Sequence, residues 1–131
     1  MANTLYPVAR SAFLTADLDW VADAMTVALL SSAYTYNSAH TTSGSLTGVL
    51  DTETLAGKAV LADGVADADD VTTMAPGSGT TVRAVVIYRT SDGMLVYFAD
   101  TQDDGTAINR PGTGGAMSLL WSASANRVFR L

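Results

Sequence analysis

From Tyr6, apolar or long side chains recur at Ala9, Arg10, Phe13 and Leu14, the i, i+3, i+4, i+7, i+8 spacing of one helical face. The spacing predicts a short helix that ends near Thr15 to Asp17. Pro7 fits its first turn, where a missing N–H removes no intrahelical bond. Tyr6, Phe13 and Leu14 are the side chains expected to dock the helix, because a helix this short is marginal in isolation. Leu18 and Trp20 then read as anchors for the turn that follows.

Beyond that turn the pattern becomes extended. Met25-Thr-Val-Ala-Leu-Leu30 is short, apolar and partly β-branched, as a buried strand should be. Residues 31–57 are rich in Ser, Thr, Tyr and Gly with little periodicity, and are expected to form a long loop with at most a short edge strand. Lys58 to Leu61 and Asp70 to Met74 are candidate strands flanking the acidic stretch Asp63 to Asp70, and Pro76-Gly-Ser-Gly79 marks a turn. The strongest signal lies between residues 81 and 100. Thr81-Val-Arg-Ala-Val-Val-Ile-Tyr88 and Met94-Leu-Val-Tyr-Phe-Ala99 are strand-like, and Asp92-Gly93 between them predicts a tight type I′ hairpin turn. Both faces of the first run are apolar, which places it inside a sandwich or barrel or beneath the helix. A Gly-rich connection from Thr101 to Gly115 leads to a last pair of strands, Ala116 to Ser122 and Arg127 to Leu131. The expected fold is mostly β, an antiparallel β-sandwich or barrel with one short N-terminal helix, in a single domain covering residues 1–131.

Composition narrows the function. Apolar residues form 48% of the 131 and charged residues 15%, enough for a core and too few charges for disorder. The formal net charge is −6 and no basic cluster exists, which argues against nucleic-acid binding. The chain has no cysteine, so disulfides, thiolate zinc sites and cysteine nucleophiles are excluded. No secretory leader is evident at the N-terminus. The longest nearly apolar run, Met25 to Leu30, is far below the roughly 20 residues of a membrane span, so a soluble protein made in the cytoplasm is expected.

Chemistry-bearing motifs are scarce. His40 is the sole histidine and has no Gly-x-Ser-x-Gly elbow to partner it. Gly77-Ser-Gly79 and Gly112-Thr-Gly-Gly115 lack phosphate-loop spacing and read as turns. Asp63, Asp67, Asp69 and Asp70 are dense enough to raise calcium, yet their order does not match an EF-hand loop, so a solvated acidic loop is expected. Asp17 and Asp19 read as a helix-to-strand corner. No catalytic residue, metal site or cofactor is therefore assigned. Tyr34 and Tyr36 are expected to pack within the fold or against a partner, since Tyr is favoured at interfaces.

Several stretches resemble a family of small tailed-bacteriophage virion structural proteins. They are Ala2 to Leu14, Asp17-Leu-Asp-Trp20 with Val27 to Leu30, Tyr34-Thr-Tyr-Asn-Ser-Ala-His40, Asp63 to Val71, Ala84 to Tyr88, Leu95 to Asp100, Trp121 and Val128 to Leu131. The resemblance runs the length of the chain and carries no catalytic motif. It implies a head decoration or minor capsid protein bound outside the major capsid protein lattice, homo-oligomeric in the virion, with neither nucleic acid nor membrane as partner. A minor tail or tail-tip protein is the alternative. A third reading takes Tyr34, Tyr36 and Trp121 as a carbohydrate-binding platform for host attachment. The expected partner-binding residues are Asn3, Leu5, Tyr34, Tyr36 and His40, with Ala2 to Leu5 free to reach a neighbour.

Overall fold

A computed structural model of the chain describes residues 3–121 and 128–130. It opens with a two-residue strand, β1 (Thr4–Leu5), followed by the helix α1 (Pro7–Leu14). Pro7 occupies the first helical turn, as its missing donor requires. The buried face of α1 is made by Ala9 and Ala12, with Phe13 half-buried beside them. Leu14, expected to dock, instead points outward and is 89% exposed. The helix lies on its two small residues, which turns its last apolar side chain away from the core.

The predicted strand forms as β2 (Met25–Leu30), buried at every position. The presumed long loop contains a full edge strand, β3 (Val49–Thr54), antiparallel to β2. There follow β4 (Ala59–Leu61), β5 (Val65–Asp67), β6 (Val71–Met74), β7 (Thr81–Val82), β8 (Ala84–Arg89) and β9 (Leu95–Ala99). The last three strands are β10 (Arg110–Pro111), β11 (Met117–Leu119) and β12 (Phe129–Arg130). Of the two predicted closing strands, residues 122–127 and 131 lie outside the described residues. The described parts pair with β6 and β5 and not with each other.

The central sheet has five antiparallel strands in the order β1-β9-β8-β2-β3. Three smaller sheets, β10-β7, β11-β6 and β12-β5-β4, complete a mostly β architecture; none of the described sheets closes into a barrel. Alternation along β2 and β8 sends Val27, Leu29, Val85 and Ile87 to one face and Ala28, Leu30, Ala84 and Val86 to the other. The first face packs against α1, Trp20, Val71, Met74 and Phe129. The second is covered by Tyr6 and by Tyr34, Tyr36 and Leu46 of the long connection after β2. A sheet apolar on both sides is therefore central, as the run 84–88 implied.

The β8–β9 hairpin exists, but its turn is not type I′. Thr90 to Gly93 form a four-residue loop closed by Gly93 N–H to Arg89 C=O at 2.8 Å and Arg89 N–H to Met94 C=O at 2.8 Å. Gly93 has φ 76°, while Asp92 does not share its positive φ. The Asp92 carboxylate explains this: it accepts from the Met94 N–H and from the Arg89 guanidinium, which fixes the residue in the preceding turn. One extra residue in β9, between the partners of Ile87 and Tyr88, makes a bulge at Val96, whose carbonyl accepts the Tyr6 N–H at 3.0 Å.

Candidate functional site

The five expected partner-binding residues divide into two groups. Leu5 is buried in β1, in register with Tyr97 of β9, and is part of the core rather than free to reach a neighbour. Asn3 is exposed but already engaged. Its Oδ1 accepts from the Asp100 and Thr101 N–H groups at 3.0 and 3.1 Å, and its Nδ2 donates to the Thr101 carbonyl at 3.0 Å. The segment 3–5 is thus a clamp on the end of β9, and Ala2 lies outside the described residues. A two-residue strand carries no periodicity, so the sequence gives no sign of this pairing.

Tyr34, Tyr36 and His40 do converge, in the connection that covers the second face of the sheet. Tyr34 is buried, and Tyr36 and His40 are half-buried. The rings of Tyr6 and Tyr36 lie 5.1 Å apart, Tyr36 and Phe98 5.3 Å, and Tyr34 and Phe98 6.1 Å, so the layer is continuous from α1 to β9. The Tyr6 and Tyr34 hydroxyls are 2.7 Å apart, and the Tyr34 hydroxyl is 3.0 Å from His40 Nδ1. Burial, more than any other influence, raises both phenols above the usual tyrosine range. Tyr6 is the member that sequence reasoning left to the helix alone; its place in the layer depends on the β1–β9 pairing.

Beside this layer lies an open cleft of about 370 Å³. Tyr34, Ala84, Phe98 and Ile108 give it an apolar lining, and Arg83 and Asp100 contribute charge. Tyr34 and Tyr36 make tilted ring contacts with Phe98, Tyr6 and His40 on the second face of the sheet, and the Trp121 indole N–H donates to the Asp69 carbonyl at 3.0 Å. These three aromatics do not form one shared stacking surface.

The acidic residues accept hydrogen bonds that shape turns and join strands. Asp19 Oδ1 accepts from the Val21 and Ala22 N–H groups, each at 3.0 Å, and Asp23 accepts from the Asp19 N–H at 3.0 Å, building the corner between α1 and β2. The Asp70 carboxylate accepts the Trp121 N–H at 2.8 Å. Among the described residues, no group of three or more acidic or histidine side chains is placed to hold a metal ion.

One charged cluster was not anticipated. Arg89, 9% exposed at the end of β8, donates through Nε and Nη2 to both oxygens of Asp92 at 3.0 and 2.7 Å. Its Nη1 reaches the Asp17 carbonyl at 2.7 Å and Asp23 Oδ2 at 3.3 Å. The guanidinium therefore ties the hairpin turn to the helix-to-strand corner. The one available signal was an arginine continuing the apolar alternation of β8, a position that demands partners.

Among the described residues, six large apolar side chains are exposed: Leu14, Val21, Val49, Val60, Leu61 and Leu120. Val49 lies on β3 and Val60 and Leu61 on β4, both edge strands. No described helix is long and apolar enough to cross a membrane. No protein-family model matches the chain, and neither a curated protein nor a solved structure matches it.

Proposed function

We propose that the protein is a structural component of a tailed-bacteriophage virion that decorates the head, binding the outside of the major capsid protein lattice and bridging neighbouring subunits. The exposed apolar side chains carry this reading. Leu14 at 89%, Leu120 at 66% and Val60 at 60% exposure offer apolar surface that a partner subunit could cover. The family resemblance of the sequence supplies the setting. The edges β3 and β4 offer the same kind of contact to a second copy, in keeping with a homo-oligomer in the virion. A place in the tail is the competing assignment.

Contacts of this kind bury apolar and hydroxyl groups, which salt screens far less than ion pairs. Virions washed in about 1 M salt should therefore retain the protein, while virions assembled with Leu14→Asp or Leu120→Asp chains should lose it. Quantitative mass analysis should give a copy number that scales with the capsid subunits. A few copies per particle would place the protein in the tail, and release by salt alone from an intact shell would show an electrostatic interface.

A further inference from the structure

We infer that Tyr6, Tyr34 and His40 form an acid-released latch that holds the segment 32–40 over the second face of the central sheet. Two contacts link the three side chains: hydroxyl to hydroxyl at 2.7 Å, and hydroxyl to imidazole Nδ1 at 3.0 Å. Each contact needs one hydrogen, and the two phenols bring two. Both phenols stay protonated, because burial raises them. The chain is matched only when Nδ1 is bare, with Tyr6 O–H donating to Tyr34 and Tyr34 O–H donating to His40. The geometry thus assigns neutral His40 its proton on Nε2.

A proton added at Nδ1 puts three hydrogens into two contacts. One of them loses its acceptor, and the candidates are the fully buried Tyr6 hydroxyl and the buried Tyr34 hydroxyl. No described buried side-chain polar atom is otherwise unsatisfied. Relief comes from moving Tyr34 outward to water, and Tyr34 rides on a segment able to move as a unit. That segment is anchored at its base by Ser31 N–H to Gly48 C=O at 2.9 Å and beyond its end by Leu95 N–H to Thr41 C=O at 3.0 Å. Between these anchors the Ala33 carbonyl accepts from the Thr47 hydroxyl at 2.9 Å near the base of the segment, and beyond it the described attachments are the aromatic layer and the latch. The other titratable groups of the layer are the phenols of Tyr36 and Tyr88, and Arg83 and Asp100 line the cleft beside Tyr34.

Amide hydrogen exchange on the full chain tests this, compared at about pH 5 and about pH 7.5. With intrinsic rates corrected, residues 32–40 should exchange on the order of 10-fold faster at the lower pH, while the amides of Val27 and Leu29 stay unchanged. His40→Asn, whose Oδ1 can replace Nδ1 as acceptor but takes up no proton, should be protected at both pH values. His40→Ala should be unprotected at both. Equal protection of the wild type at the two pH values would overturn the latch, as would His40→Asn following the wild type, or His40→Ala remaining protected.

Discussion

At the scale of single residues, Arg89 does the most to join distant parts of the chain. Its guanidinium holds the Asp92 carboxyl down to about 2 from an ordinary 3.8, with the Met94 N–H adding to the effect. Asp23 is also lowered, first by the Asp19 N–H and then by Arg89. A carboxylate whose folded value is depressed contributes stability that is fully present above its unfolded value and lost as the pH falls toward its folded one. For Asp92 that window runs from about 4 down to about 2. Urea midpoints measured from pH 5 to pH 2 should fall across this window in the wild type and fall less steeply in Asp92→Asn. At pH 5 the variant should be less stable by about 1 kcal/mol, a modest figure because the Asp92 side chain is 49% exposed and solvent screens the pair. Little of this cluster was legible beforehand: Asp17 and Asp19 pointed to a corner, and Arg89 stood out only as a cation within an apolar strand. What the cation meets is fixed in part by the corner at Asp17, 72 residues before it in the chain.

At the scale of elements, the end of α1 shows what local reasoning could and could not reach. The periodicity through Tyr6, Ala9, Arg10, Phe13 and Leu14 located the helix, although the face it buries is made by Ala9 and Ala12, with Arg10 and Leu14 exposed. It did not reveal how the helix stops. Asp17 N–H donates to Ala12 C=O at 2.9 Å and Ala16 N–H to Phe13 C=O at 3.3 Å, the paired bonds of a Schellman motif, with Ala16 at φ 59° where glycine is usual. Ala16→Gly should therefore raise stability by about 0.5–1 kcal/mol, read as a higher thermal or urea midpoint. The same substitution at Ala12, buried in the helix, should lower it. The strands divide in a similar way. β2, β8 and β9 announced themselves by dense apolar runs. β3 did not, since an edge strand of sequence Val-Leu-Asp-Thr-Glu-Thr buries little, and Asp51 and Glu53 spend their carboxylates on Ala75 N–H and the Thr73 hydroxyl. β5 was hidden because its two buried residues, Val65 and Ala66, sit inside an acidic stretch. The aromatic layer was half visible: Tyr34, Tyr36 and His40 are close in sequence, whereas Tyr6 and Phe98 join them only through the sheet.

At the scale of the whole molecule, the contacts that close the fold join residues far apart in the chain. Thr4 pairs with Phe98, Trp20 donates its indole N–H to the Asp67 carbonyl at 3.0 Å, and Phe129 pairs with Ala66. Such topology lies at the slow end for small domains, since loop-closure entropy is lost before the contacts that offset it form. Refolding from urea, followed by tryptophan fluorescence, should take on the order of milliseconds to seconds, and microsecond kinetics would show that the long-range pairing is not rate-limiting. The β1–β9 pairing has a further consequence during synthesis. When β1 leaves the ribosome it has no partner until Tyr97 and Phe98 follow it, several seconds later at roughly 5–20 residues per second. For that interval Leu5, Tyr6 and the apolar face of α1 are open to chaperones and to other nascent chains, so the clamp that secures the sheet edge in the finished molecule also governs its exposure to aggregation while it is being made.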